Sequence, residues 1–197
     1  MMEEFRAFIA IELPPPVHEE LSRVIAELRA GHERSVKWVD PQLIHLTLKF
    51  LGNTRFEKAP EVTEAIRQAA RTIKPFLLEM NGLGAFPNDR TPRVIWAGVS
   101  GDIPTLQALQ KEIERALTPL GFAPEGKEFS PHLTLGRVRE GIFPKERAEL
   151  GKKLGMIEMP KGIAIPVTHI CLMKSTLTPK GPLYDRVSVI PLMPQAG

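Results

Sequence analysis

Apolar residues recur along the chain with periods near 3.6 and near 2, and the alternation between the two predicts its elements. Residues 5–13 (FRAFIAIEL) form a short apolar, partly β-branched run halted by Pro14-Pro15-Pro16, the pattern of a strand. Val17, Leu21, Val24, Ile25 and Leu28 then fall on one face of a helix, with Gly31 where a C-terminal cap belongs. Residues 45–51 (HLTLKFL) predict a second strand, closed by a turn at Gly52-Asn53. The next helix has Pro60 near its first turn and Val62, Ile66, Ala69 and Ile73 facing inward. Two apolar runs, 76–80 and 94–99, predict further strands. The order then returns. A helix carries Ile103, Leu106, Leu109, Ile113, Leu117 and Leu120 and stops at Gly121; a strand begins at His132 (HLTLGRV); a weaker helix follows near 144–154. Strands over 163–173 and 184–190 close the chain.

Val17 precedes His45 by 28 residues and Ile103 precedes His132 by 29, so helix and His-bearing strand recur at nearly one spacing. This is the signature of an internal duplication. Two copies are too few for a solenoid, whereas two lobes facing each other place one copy of the strand on each side of a cleft. No linker or low-complexity segment divides the chain, so residues 1–197 are expected to form a single bilobal domain.

Composition narrows the class. Of 197 residues, 43% are apolar and 25% charged, which excludes intrinsic disorder and leaves an ordinary globular domain. No run approaches the roughly 18 apolar residues of a membrane span, and Met1-Met2-Glu3-Glu4 is acidic where a secretory signal is basic, so a cytoplasmic protein is expected. Cys171 is the single cysteine; it allows no internal disulfide and no zinc site built on two or more thiolates. The net charge of +3 is too small to announce nucleic-acid binding. Its surplus lies beyond residue 98, where 13 bases face 10 acids, which suits an anionic ligand and equally a solvated surface.

The tetrapeptide His-Leu-Thr-Leu occurs twice, at His45 to Leu48 and at His132 to Leu135. In a strand, residues i and i+2 share a face. His45 with Thr47, and His132 with Thr134, therefore point one way while their leucines point into a core. Each strand offers a proton-transfer group beside a hydroxyl donor. Because histidine titrates near neutrality, a pair holds one neutral base and one charged acid together, which suits in-line displacement at phosphorus. A single copy would read as plain sheet; two copies at matching places, using two of five histidines, point to a site. His18 and His32, among glutamates at the ends of a surface helix, and His169, in an apolar strand, read as structural. Neither H-x-H nor H-E-x-x-H occurs, and Gly82-Leu83-Gly84 lacks the third glycine and the helix of a nucleotide-cradling loop.

The paired H-x-T-x motifs, set among RAFIAIELP, HLTLKFLG, RVIW, FSPHLTLGR and LMKSTLTPKGPLY, resemble the 2H phosphoesterases over nearly the whole chain. Within them the sequence is similar to the RNA 2′,3′-cyclic phosphodiesterases, also called 2′-5′ RNA ligases. The resemblance implies a bilobal α+β fold with two antiparallel sheets, one motif strand in each and helices outside. It implies that Thr47 and Thr134 hold phosphate oxygens and that His45 and His132 open a cyclic phosphate to a 2′-phosphate, His132 activating water and His45 protonating the 3′-oxygen. Phe50 and Arg137, five residues after each histidine, are implied to stack a base and neutralise phosphate. On a regular strand that offset lands on the leucine face, so both require a bend or bulge. Lys49 shares the parity of His45 and is a candidate phosphate contact or a solvated residue. Ser175, the first residue of a polar loop over 175–181, and Tyr184, just beyond it, are implied to line the cleft. Trp38 is placed at its mouth or in the core. The expected partners are RNA with 2′,3′-cyclic phosphate ends or 2′,3′-cyclic nucleotides, with no cofactor, no metal, no membrane and a monomeric chain. With no nucleotidyl-accepting lysine motif, any joining of RNA ends is expected to need no ATP. Two other readings are an RNA-end-binding module without turnover and a phosphodiesterase for a small cyclic phosphate such as an ADP-ribose derivative.

Overall fold

The computed structural model describes residues 4–160, 162–179 and 181–193. Among these, four α-helices each open on a proline in the first turn. There a missing N–H costs nothing, because the start of a helix leaves its first donors unpaired, and the ring pre-sets φ. They are α1 (Pro15–Arg29), α2 (Ala59–Ala70), α3 (Ile103–Leu117) and α4 (Pro144–Leu154). The strands are β1 (Glu4–Ile11), β2 (Val36–Trp38), β3 (Leu46–Arg55), β4 (Phe76–Phe86), β5 (Val94–Gly101), β6 (His132–Val138), β7 (Ala164–Val167), β8 (His169–Thr178) and β9 (Gly181–Pro191). They form two antiparallel sheets, ordered β3-β1-β8-β9 and β2-β6-β5-β4-β7. The bilobal α+β architecture expected from the sequence is the one observed.

Each sheet has helices on one face only. Helices α2 and α3 pack against β9 and β3 of the four-stranded sheet, and α1 and α4 against β2 and β4 of the five-stranded one. The repeat is visible as β1-α1-β3 and β5-α3-β6, but its helices are exchanged: α1 leaves β1 to cover the other sheet, and α3 leaves β5 to cover β3. One apolar core runs through both sheets and all four α-helices, from Phe5 and Val17 to Leu133, Leu154 and Ile190. A second, small cluster of Phe8, Ala10, Cys171 and Met173 occupies the helix-free face of the four-stranded sheet.

Several boundaries differ from the sequence reading: α2 ends at Ala70, short of Ile73, and β4 runs on from Phe76 to Phe86 instead of ending at Met80. Gly52-Asn53 is not a turn: β3 continues to Arg55, and Gly52, with φ of 68°, absorbs an irregularity where Leu51 has no partner opposite β1. Glycine tolerates that left-handed conformation without ending the strand. Residues 163–173 are not one strand, because the chain leaves the five-stranded sheet at Thr168 and enters the four-stranded one. The carbonyl of Thr168 accepts from the N–H of Leu192 at the crossing. The stretch 175–181 is not an open loop, since β8 and β9 pair from Ser175↔Tyr184 to Thr178↔Gly181. Lys180, part of that stretch, lies outside the described residues.

Candidate active site

Both motif strands carry a bulge at the same place. Along β1 and β3 the register runs Ala10↔Thr47, Ile9↔Lys49, Phe8↔Phe50, so Leu48 faces no partner. Along β5 and β6 it runs Ala97↔Leu133, Trp96↔Thr134, Ile95↔Gly136, Val94↔Arg137, so Leu135 faces none. Each extra residue lies three positions after its histidine and is buried, Leu48 at 2% exposure and Leu135 at 0%. Two consecutive residues therefore turn inward, and the parity of the strand reverses beyond them. Thr47 and Phe50 come to one face, opposite Ala10 and Phe8, while His132, Thr134 and Arg137 share a face opposite Gly98, Trp96 and Val94. The difficulty posed by the offset of five is resolved in both lobes by the same device. Phe50 stands 64% exposed with its ring 6.3 Å from Phe8.

The same reversal corrects the reading of Lys49. Its side chain is 1% exposed and points into the helix layer, where Nζ lies 2.6 Å from Glu114 Oε2 and donates to the Ala123 carbonyl at 2.9 Å. Lys49 joins β3 to α3 and does not reach the histidine face. For Trp38, read at the cleft mouth or in the core, the structure gives the core. Trp38 pairs with Gly136, and a Cβ on Gly136 would stand 3.0 Å from the Trp38 ring. Gly136 faces the core opposite Ile95, so the indole packs on the core side.

The two imidazoles are held alike. His45 Nδ1 donates to the Leu43 carbonyl at 2.9 Å and His132 Nδ1 donates to the Ser130 carbonyl at 2.7 Å, in each case two residues back. A carbonyl only accepts, so Nδ1 carries the proton in both bonds and Nε2 is left for proton exchange. Leu43 is fixed by the short turn Pro41–Leu43, whose start is capped by the Asp40 side chain accepting from the Gln42 N–H at 3.0 Å. Aromatic rings set the tilt of both histidines. Phe8 stacks on His45 at 4.6 Å and Tyr184 meets it edge-on at 5.2 Å. Phe86 meets His132 edge-on at 5.0 Å and leans on Trp96 at 5.4 Å. Trp96 lies across glycines, so close that a Cβ on Gly84 would stand 2.5 Å from its ring.

Burial holds the His45 pKa below the ordinary imidazole value, opposed by its bond to the Leu43 carbonyl and by the charge of Glu12. Burial raises the Tyr184 hydroxyl, while Arg6 and Arg137 pull it down. Tyr184 thus touches His45 in one lobe and lies within electrostatic reach of Arg137 from the other; β3 and β6 run with Cα atoms within 8 Å of each other. Thr47 and Thr134 are half-buried beside their histidines, and Ser175 lies between Arg6 and Tyr184 in the sheet.

Several residues of this surface were not singled out in the sequence. Phe8 and Phe86 support the histidines, and Glu12 acts on His45 through its charge. Phe8 could have been found from β1, where apolar residues occupy both parities and so promise two packed faces. Of the histidines read as structural, His18 Nδ1 bonds the Pro41 carbonyl at 2.8 Å. His32 is buried in the turn after α1 rather than at a surface helix end. His169 shares the helix-free sheet face with Glu12 and Cys171, and the three donor atoms lie within 4.8 Å of one another. The H-x-C spacing of His169 and Cys171 carries the same parity signal as H-x-T. The cluster bears directly on the expectation that no metal binds, and it includes the chain's single cysteine.

Comparison with known proteins places the chain in a family. The 2′-5′ RNA ligase superfamily matches residues 13–178. The RNA 2′,3′-cyclic phosphodiesterase of Methanothermobacter thermautotrophicus is 34% identical over 187 residues, spanning 95% of this chain and 98% of that protein. The protein of the same name from Aeropyrum pernix is 38% identical over 149 residues, 76% of this chain and 82% of its own. The crystal structure of TT0787 of Thermus thermophilus superposes with a TM-score of 0.74 at 29% identity, covering 97% of this chain and all of that one. Fold and sequence agree over nearly the whole chain, and the chain belongs to the RNA 2′,3′-cyclic phosphodiesterase family of the 2H phosphoesterases, a family of hydrolases.

Proposed function

We propose that this protein opens RNA 2′,3′-cyclic phosphates to 2′-phosphomonoesters, with His45 and His132 as the acid-base pair and no metal in the reaction. The observation that carries the reading is the matched bulge, which turns a proton-transfer group, a hydroxyl and a side chain suited to the ligand onto one face of each motif strand. Thr47 and Thr134 donate to the non-bridging oxygens. Arg137 offsets phosphate charge, and Phe50 and Tyr184 offer rings to the nucleoside. With His132 as base, its Nε2 takes the proton of water as the oxygen-phosphorus bond forms; His45 Nε2 gives its proton to the 3′-oxygen as that bond breaks. The two proton transfers leave the pair exchanged in charge, and solvent resets it. A 5′-hydroxyl in place of water joins two RNAs through a 2′-5′ linkage by the same displacement.

Incubation with a 2′,3′-cyclic nucleotide in chelator, followed by phosphorus NMR, is expected to give the 2′-monoester. Loss of either histidine in His45→Ala or His132→Ala is expected to slow turnover by about 10²- to 10⁴-fold. Full turnover in either variant removes the two-histidine mechanism. Retained binding without turnover in the unaltered protein makes it an RNA-end-binding module.

A further inference from the structure

We propose that Glu12, His169 and Cys171 form a binding site for one divalent metal ion of the zinc class on the helix-free face of the four-stranded sheet, beside the His45 pocket. His169 and Cys171 stand two residues apart on β8 and so share a face, and Ala10, opposite Cys171, brings the following Glu12 across from them. Glu12 Oε2 lies 3.2 Å from Cys171 Sγ, which donates to it, and 3.6 Å from His169 Nε2; all three donors fall within 4.8 Å of one another. With bonds of about 2.0 Å to nitrogen or oxygen and about 2.3 Å to sulfur, a tetrahedral ion spaces its donors roughly 3.3–3.6 Å apart. The edge from Glu12 to His169, 3.6 Å, falls within that span, and the edge from Glu12 to Cys171, 3.2 Å, is just below it.

Outer partners point the donors. Thr168 Oγ1 sits 3.1 Å from His169 Nδ1, which leaves Nε2 to face Glu12. The Arg186 Nε lies 2.9 Å from the Glu12 carboxylate and fixes its plane. One thiolate, one imidazole and one carboxylate select a borderline ion such as zinc over magnesium or calcium, which take oxygen. The Cys171 proton leaves as the metal-sulfur bond forms, so thiolate and carboxylate together balance the two charges of the ion. Three protein donors leave the fourth position to solvent. Cys171 is buried, while the half-exposed His169 and Glu12 provide the way in.

The test is a Co²⁺ titration of the intact protein followed by absorbance. One equivalent is expected to produce a thiolate-to-cobalt charge-transfer band with the visible bands of a tetrahedral ion, both abolished by Zn²⁺. Cys171→Ser is expected to lose the charge-transfer band. His169→Gln, at a position exposed enough to leave packing intact, is expected to weaken Co²⁺ affinity at least tenfold. Absence of the band in the unaltered protein, its persistence in Cys171→Ser, or unchanged affinity in His169→Gln overturns the proposal. His45→Ala and His132→Ala are expected to bind Co²⁺ normally, so this site and the phosphodiesterase reading stand or fall separately.

Discussion

His45 carries its ring between Phe8 and Tyr184, with the charge of Glu12 reaching it from the end of β1. Burial favours the neutral ring and Glu12 favours the charged one, so Glu12→Gln lowers the His45 pKa further. If His45 donates the proton, the alkaline limb of the kcat/KM profile moves to lower pH; if it is the base, the acidic limb moves instead. The limb that shifts assigns the roles, and a profile unmoved at both limbs refutes the coupling. Lys49 tests a different kind of contact. Lys49→Met leaves the Glu114 carboxylate facing an apolar stem and is expected to cost about 3–5 kcal/mol in urea unfolding. Adding Glu114→Leu is expected to restore most of that stability, because the buried charge goes with its partner. A single variant as stable as the parent counts against the pair. Of these two residues the sequence marked only Lys49, and for the wrong face. Its parity with His45 is correct for a regular strand, and only the unpaired Leu48 reverses it.

At the scale of elements, what could be read depended on how local the cause was. Helix α4 coincides with its predicted span 144–154, since a proline start and leucines at helical spacing need no partner to be seen. The H-x-T pairs were legible for the same reason, as i and i+2 share a face in any strand. Glu12, Phe8 and Tyr184 were not read together, because what joins them is the register between strands distant in sequence. The crossing at Thr168 was hidden by continuous apolar character, which does not say which sheet a residue enters. Helix α4 also shows how closely one element is seated. A Cβ on Gly151 would stand 1.7 Å from the Asp89 carbonyl oxygen, and Arg147 Nη1 bonds the Pro92 carbonyl in the same loop at 3.0 Å. Gly151→Ala gains about 1 kcal/mol of helix propensity but must push α4 off that loop. A lower Tm is expected, and an unchanged or higher Tm contradicts the seating.

For the whole molecule, no helix among the described residues is long and apolar enough to cross a membrane. The proposed chemistry draws its energy from the strained cyclic phosphate. RNA carrying that end is therefore expected to join a 5′-hydroxyl RNA without ATP, at a low yield set by competition with water. A gel assay with purified protein checks this, and a strict requirement for ATP defeats it. The exchange of α1 and α3 between the lobes has a mechanical result. A clamshell opens about a hinge only if each shell keeps its own backing. Here each sheet is braced by a helix spliced to a strand of the other, so swinging the sheets apart would drag both braces out of the shared core. Binding is therefore expected to leave the two sheets at a fixed separation, and small-angle X-ray scattering should record the same radius of gyration with the nucleotide bound or absent.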